Sequence, residues 1–368
     1  LIVAPIVIVA LLGWVLRDQQ ATTTELGIVN LAGAPGERVV DALTLATSGA
    51  PDGIEVIETD DSADAARARL RDGQIDVALI LPATLTADVA AGRSPQLIVI
   101  TRGTDPAAES GAFAGLQSLL PRVAAQLVPV GGGAPLVPAI QHETVYLSPD
   151  ADQLDVLAPV FLGLFAYFFV FVLTGISFLR ERVGGTLERL LATPVTRAEI
   201  VIGYSLGFTA FATVQVILLT AYVLGSVEVP TIGPLGAFSI GLGVQAAGSP
   251  VLTFVVALVL AIGAVNLGIF LSTFARTELQ VVQFIPIVIV PQALLGGIFW
   301  PIDRLPGALQ AIAHLMPVTY AVDALREVML KGQDIASSSS LRLDLAVLIG
   351  VAVVFVVLAG LTIKREVA

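Results

Sequence analysis

The feature that most constrains this chain is a series of long apolar stretches without a charged residue. A helix of about 20 apolar residues spans the hydrocarbon core of a bilayer, and in lipid every backbone polar group must be bonded internally. Five stretches meet that requirement: Val156–Leu179, Ile200–Gly225, Val251–Ala275, Leu279–Ile302 and Leu345–Ile363. The chain is therefore predicted to be an α-helical polytopic membrane protein.

A sixth apolar stretch, Leu1–Leu16, opens the sequence. It is followed by Arg17-Asp18 rather than by a small-residue cleavage site. We therefore interpret it as part of a first, truncated transmembrane helix rather than as a cleaved signal peptide. The prediction is six transmembrane helices.

The remaining charge is concentrated in one segment. Between Arg17 and Asp155 there are 19 acidic residues and 8 arginines, a net charge of −11, which equals the net charge of the whole chain. This segment alternates strand and helix patterns, and its most apolar strand is Val77–Leu81. Alternating βα units predict a small parallel or mixed sheet covered by helices. The run Pro129–Pro138, with three glycines and three prolines, is predicted to be a linker.

Composition excludes several classes of function. The chain has no cysteine, so a disulfide framework and thiolate metal sites are excluded. The acidic balance argues against nucleic acid as a partner. His142 and His314 have no ligand-spaced partners, so no metal site is predicted.

Basic residues in the short loops predict the orientation. Arg180, Arg189, Arg197 and Arg276 flank the spans at one side, and Ser226–Pro250 has no basic residue. We expect both termini in the cytoplasm and the acidic domain outside. The predicted segments are helix 1, 1–16; external α/β domain and linker, 17–155; helix 2, 156–179; coupling loop, 180–199; helix 3, 200–225; outer loop, 226–250; helix 4, 251–275; helix 5, 279–302; outer re-entrant hairpin, 303–342; helix 6, 343–363.

The loop between the second and third predicted helices carries the most specific pattern. Paired glycines end the preceding helix, Thr186 can cap a new short helix, and Glu188 lies in its first turn. Leucines at three positions share one face, and Pro194 ends the helix. The residues are Gly184, Gly185, Thr186, Leu187, Glu188, Leu190, Leu191 and Pro194. Such a helix either fills a groove on a partner or lies on the lipid headgroups as a reversing turn. After it, Thr196 and Glu199 are predicted to form a capping box that opens the next helix.

The run Gly-Thr-Leu-Glu-x-Leu-Leu-x-Thr-Pro resembles the signature of ABC-2 type transporter permeases. Pro301–Pro306 with Met316–Arg326 is similar to the outer re-entrant hairpin of that family, and Asp72–Pro82 is similar to the external domain of the subfamily with a large insert between spans one and two. The resemblance covers nearly the whole chain. Val183-Gly184 departs from it, because a charged pair usually precedes the Gly-Thr.

The resemblance implies a permease subunit of an ATP-driven exporter in the bacterial cytoplasmic membrane. Its partners would be two copies of an ABC-type ATPase subunit, which bind ATP and Mg, and a second permease copy or a paralogue. The Gly185–Pro194 turn would be the coupling helix that docks onto the ATPase. The cargo would be hydrophobic or amphipathic, such as a drug, lipid or peptide.

Two absences agree with this function. The chain has no G-x-x-x-x-G-K-[ST] phosphate loop, and no predicted span has an ionisable residue in its middle, as an ion-coupled carrier would need. No nucleophile–base pair is evident, so the chain itself is predicted to be non-catalytic. The alternative is a membrane-anchored envelope-sensing or binding protein without transport activity.

Four phenylalanines of the second predicted helix are candidates for the cargo path. Phe161, Phe165 and Phe168 are predicted to form one stripe, with Phe169 beside it. They either line a path at a dimer interface or are packing and lipid-facing aromatics.

Four uncharged polar residues of the predicted spans are expected to form hydrogen bonds between helices. They are Gln215, Asn266, Gln283 and Gln292. Asp323, Arg326 and Glu327 are predicted to form a solvated face.

Overall fold

The computed structural model describes residues 24–47, 54–59, 62–104, 109, 111–119, 138–230, 238–297, 302 and 305–362. The predicted first helix, 1–16, lies outside the described residues. The chain contains two compact units, one within Gln20–Val156 and one within Leu157–Ala368.

The first unit is a five-stranded mixed sheet with helices. Its strand order is β2-β1-β3-β4-β5, with β3 and β4 antiparallel and the other pairs parallel. A further helical segment covers residues 111–119. The elements are β1 Thr24–Asn30, α1 Ala34–Thr47, β2 Ile54–Thr59, α2 Ala63–Arg71, β3 Val77–Leu81, α3 Leu85–Ala90, β4 Gln96–Thr101 and β5 Ala139–Thr144.

The sheet has the mixed α/β architecture that the sequence pattern predicts. All five residues of β3 are buried, because it lies in the middle of the sheet and both its faces are covered. Ser62 caps α2 by accepting a hydrogen bond from the Ala65 amide. Thr84 precedes α3 without capping it, because Thr84 has helical φ and ψ and its side chain accepts no capping hydrogen bond. The sequence analysis also missed β5, whose alternating burial lacks a continuous apolar run.

The second unit is helical. Within the described residues, five helices are long and apolar enough to cross a membrane: α4 Gln153–Val183, α6 Arg197–Leu224, α7 Pro250–Ser272, α8 Glu278–Leu295 and α11 Ser339–Thr362. Shorter elements connect them: α5 Thr186–Leu191, β6 Val227–Val229, β7 Phe238–Ile240, α9 Gly307–Ala313 and α10 Pro317–Met329. These features are those of a helical polytopic membrane protein.

Helix α7 is the centre of this unit. It packs against α6, α8, α10 and α11, and 13 of its residues are buried. A Cβ placed on Gly268 would lie 3.0 Å from the Phe171 carbonyl oxygen and 3.2 Å from the Gly175 amide nitrogen. Helices α4 and α7 therefore cross with their backbones in close contact, which only a small residue permits.

Some predicted boundaries differ from the observed helices. Helix α8 ends at Leu295, earlier than the predicted limit of Ile302, because Gly296 and Gly297 follow and Gly297 has a φ of 74°. Helix α11 begins at Ser339, before the predicted start at residue 343, so its first turns include polar residues. The segment predicted as a re-entrant hairpin contains α9 and α10, and the outer loop contains the β6–β7 hairpin.

Candidate coupling and transport site

The turn between α4 and α6 is built around a left-handed glycine. Helix α4 ends at Val183, and Gly185 has a φ of 76°, a conformation that residues with a side chain rarely adopt. The predicted cap by Thr186 is wrong, because Gly185 occupies the N-cap position and no side chain caps the helix. Helix α5 then covers Thr186–Leu191, and Pro194 lies three residues beyond its end.

The leucines of α5 face their own protein. Leu187 is 3% exposed, and Leu190 and Leu191 are half-buried against the same helical core. Glu188 and Arg189 are exposed on the opposite side. The leucine face is therefore packed within the chain, and the surface that a partner can reach is polar.

The predicted capping box at the start of α6 is present. The Thr196 amide donates to Glu199 Oε2 over 2.7 Å, and the Glu199 amide donates to Thr196 Oγ1 over 3.3 Å. This arrangement satisfies backbone groups that would otherwise lack partners at the helix start. It fixes the residue at which the next membrane helix, α6, begins.

Two arginines at the end of α4 bind the loop between α7 and α8 and the first residue of α8. Arg180 Nε lies 2.7 Å from Glu278 Oε1, and Arg180 Nη2 lies 3.1 Å from Glu278 Oε2. Arg182 donates to the backbone carbonyls of Thr273 and Ala275. We call these four contacts the arginine clamp. The clamp joins the helix that leads into α5 to two other membrane helices, and the sequence pattern did not reveal it, because its partners are over 90 residues away.

A cavity of about 680 Å³ opens between α4, α5 and α6. Its walls are mostly apolar and include Leu173, Leu190 and Phe208, and Glu181 and Glu199 also line it. The Tyr204 hydroxyl donates to Glu181 Oε2 over 3.3 Å. The volume falls in the range of small-molecule pockets, about 300–1,000 Å³.

The aromatic stripe of α4 differs by one residue from the prediction. Phe161, Phe165 and Phe169 form the stripe, with stacked neighbours at centroid distances of 6.0 and 5.9 Å, and each is at least 40% exposed. Phe168 packs edge to face on Phe169 and against the helical core. The spacing of four residues places 161, 165 and 169 on one helix face, whereas Phe168 lies beside it.

One of the predicted polar residues links three helices. Gln292 Nε2 on α8 donates to the Tyr167 hydroxyl on α4 over 2.8 Å. The Val318 amide at the start of α10 donates to Gln292 Oε1 over 3.3 Å. Gln215 donates weakly to the Phe165 carbonyl at 3.5 Å. Asn266 instead donates to Ile262 of its own helix.

The order of these features along the chain agrees with one family of membrane proteins. A family model for ABC-2 family transporter proteins matches residues 1–361. The chain belongs to this family. It is a membrane-spanning permease component of an ABC transporter, a class that works with an ABC-type ATPase.

Several known proteins are similar to this chain. The probable multidrug ABC transporter permease YbhS of Escherichia coli (strain K12) is 24% identical over 305 residues, which is 81% of this chain and 75% of that protein. The linearmycin resistance permease protein LnrN of Bacillus subtilis (strain 168) is 26% identical over 201 residues, 54% of this chain and 48% of LnrN.

ABC transporter G family member 20 of Dictyostelium discoideum is 30% identical over 189 residues, 51% of this chain. The chain spans only 24% of that protein and 46% of the E. coli permease YbhR, which is 24% identical over 186 residues. Each of these two relatives is thus more than twice as long as the part that this chain matches.

Proposed function

We propose that this permease is the membrane half of an ATP-driven exporter, and that a separate ABC-type ATPase moves it through α5. The observation that carries the proposal is the position of α5. Its apolar face is anchored in the helical core, its polar face is exposed, and the arginine clamp lies next to it. A force on α5 would therefore be transmitted to α4, α7 and α8 together.

The contact surface for the ATPase is the exposed face of α5, with Glu188 and Arg189 at its centre. This refines the sequence-based hypothesis, in which the leucines made the contact. Because Leu187 is buried, its role is to attach α5 to the membrane helices. ATP and Mg would be bound by the ATPase and not by this chain.

The transporter would contain two copies of this chain, or this chain and a paralogue, with two ATPase subunits. The exposed stripe of Phe161, Phe165 and Phe169 supports this assembly, because aromatic side chains bury a large area when they pack at an interface. The stripe would lie on the cargo path between the two permease copies. A hydrophobic or amphipathic cargo fits its chemistry and that of the cavity beside α5.

The basic residues of the α4–α6 and α7–α8 loops support a cytoplasmic location for α5. In that orientation the α/β domain lies outside the cytoplasmic membrane and both termini lie inside. Attaching a membrane-impermeant label to a cysteine placed at Arg93, and separately at Glu188, tests this directly. The Arg93 position should react in intact cells, and the Glu188 position should react only after lysis.

The coupling surface is tested by reversing a charge on α5. Glu188→Arg should weaken association with the ATPase subunit and reduce ATP-driven transport, without changing the unfolding temperature of the permease. Glu228→Arg, which changes an exposed glutamate in strand β6, is the matched control. Equal transport by the two variants would contradict the proposed contact.

The cargo path needs a separate experiment. Phe165→Ala with Phe169→Ala should reduce export while the ATPase subunit still associates. Leu206→Ala with Leu218→Ala, which removes exposed side chains from α6, is the control. Unchanged export in the phenylalanine variant would assign the stripe to packing or lipid contact. A sensing protein would transport nothing. Export by the wild type that is lost in the phenylalanine variant, while the ATPase subunit still binds, would therefore also disfavour that alternative.

A further inference from the structure

A carboxyl group is buried among the helices near the start of α11. Asp344 is 4% exposed, and its Oδ2 atom has no hydrogen-bond partner among the described residues. The residue lies in the second turn of a helix that is long and apolar enough to cross a membrane. An ionised carboxylate without a partner is expensive to bury in such a place.

The groups that face Asp344 increase this cost. Helix α10 packs against α11, and the acidic side chains of Asp323 and Glu327 on α10 act on Asp344 through their charge. Lys331 follows α10, but its ammonium is 2.5 Å from Glu327 Oε1 and is thus bonded to that residue. The Ser338 hydroxyl also donates to Glu327, over 3.3 Å.

Within the residues that the structure describes, the other elements packed on α11 bring no compensating cation to Asp344. Helix α7, which packs closely on α11, contains no ionisable residue. The charged residues of α6, Arg197 and Glu199, both lie in its first turn. Arg342 on α11 donates to the carbonyls of Ile335 and Ala336 in the preceding loop. Arg326 on α10 has its guanidinium near Gly297, beyond the end of α8.

We propose that Asp344 is a proton-binding site, and that in this conformation its carboxyl group carries a proton taken from water. Protonation removes the buried charge and supplies an O–H donor, so the cost of burial and the repulsion from α10 both fall. A proton also needs no cavity, unlike a larger cation. Glu327 acts on Asp344 through its charge and its side chain is 17% exposed, so in this proposal it is the group through which the proton exchanges with water.

The site makes the packing of α10 on α11 dependent on pH. Loss of the proton would place a third negative charge beside Asp323 and Glu327 and would weaken the contact between the two helices. Transport should therefore decline as the pH rises. Protonation of Asp344 itself does not depend on the proposed export function, so the two ideas can fail separately.

The direct test is infrared spectroscopy of the purified permease in lipid nanodiscs at neutral pH. The wild type should show the carbonyl stretch of a protonated carboxyl group, and Asp344→Asn should lose it. Asp334→Asn is the control. The Ser337 and Ala336 backbone amides donate to Asp334 and hold the pKa of this exposed carboxyl below its usual range, so it should contribute no such band. An identical band in wild type and Asp344→Asn would overturn the proposal.

A second measurement follows the pH dependence of ATP-driven transport with the ATPase subunit present. Wild-type transport should fall as the pH rises, and Asp344→Asn should keep its activity over the same range. Glu327→Gln removes a neighbouring negative charge and should move the wild-type decline to lower pH. This second variant tests the site even if Asp344→Asn does not fold. A pH profile that neither substitution changes would count against the proposal.

Discussion

Arg180 and Glu278 form a two-point ion pair, with Arg180 Nε 2.7 Å from Glu278 Oε1 and Arg180 Nη2 3.1 Å from Glu278 Oε2. The two residues are 98 positions apart in the chain. Such fork-to-fork pairs fix orientation as well as distance. This one ties the end of α4, next to the coupling turn, to the first turn of α8.

The first prediction concerns this pair. Arg180→Gln should reduce the transport obtained per ATP hydrolysed, because the motion of α5 would no longer reach α8 through the pair. Both side chains are more than half exposed, so we expect little change in the unfolding temperature. Transport and ATP hydrolysis measured together in proteoliposomes provide the ratio.

The charge-reversed double variant, Arg180→Glu with Glu278→Arg, should restore part of the lost coupling. Arg276→Gln changes an exposed arginine in the loop between α7 and α8, two residues before Glu278, and should have no effect on coupling. If the double variant couples no better than Arg180→Gln, the pair does not transmit the motion.

The second prediction concerns the hydrogen bonds of Gln292. Gln292→Leu keeps the volume similar but removes the bonds to Tyr167 and Val318. Buried interhelical hydrogen bonds contribute about 1 kcal/mol, so the unfolding temperature should fall. Tyr167→Phe should have a smaller effect, and the double variant should lose less than the sum of the two. Additive losses would show that these two side chains do not interact.

The third prediction concerns the crossing of α4 and α7. Gly268→Ala places a Cβ 3.0 Å from the Phe171 carbonyl oxygen, so the helices must separate, at a cost of about 1–3 kcal/mol. Gly263→Ala is the matched control on the same helix, since no atom lies within 4 Å of the added Cβ. It should leave stability unchanged or raise it, because alanine favours the helix. Thermal unfolding in detergent compares the two, and equal stability would contradict the close crossing.

The fourth prediction separates the two faces of α5. Leu187→Ala removes a buried side chain and should lower the free energy of unfolding by about 2 kcal/mol. Glu188→Arg should leave the unfolding temperature unchanged and weaken binding of the ATPase subunit. The account would be wrong if Glu188→Arg destabilised the permease as much as Leu187→Ala does.

Patterns local in sequence were predicted well. The spans follow from uncharged stretches, because nothing but a helix satisfies the backbone in lipid. The capping box at Thr196 and Glu199 and the helix break at Gly184-Gly185 were also predicted, since each depends on residues within one turn.

Features that depend on tertiary packing were predicted poorly. The leucines of α5 were expected to fill a groove on a partner or to lie on the lipid headgroups, because periodicity shows only that they share a face and not what that face contacts. The stripe was assigned to Phe168 instead of Phe169 for a similar reason. Residues three and four positions apart both lie on the same side of a helix, so Phe165 could continue to either one. Asp323 and Glu327 were expected on a solvated face, and no local pattern indicates that buried Asp344 lies within reach of their charges.

The central claim is that this permease moves cargo only when a separate ATPase acts on it. The most direct measurement is cargo uptake into proteoliposomes that contain the purified permease alone, or the permease with its ABC-type ATPase subunit, with and without ATP and Mg. The account predicts uptake only when the permease, the ATPase subunit and ATP are all present, and loss of that uptake with Glu188→Arg. Active uptake by the permease alone would contradict it.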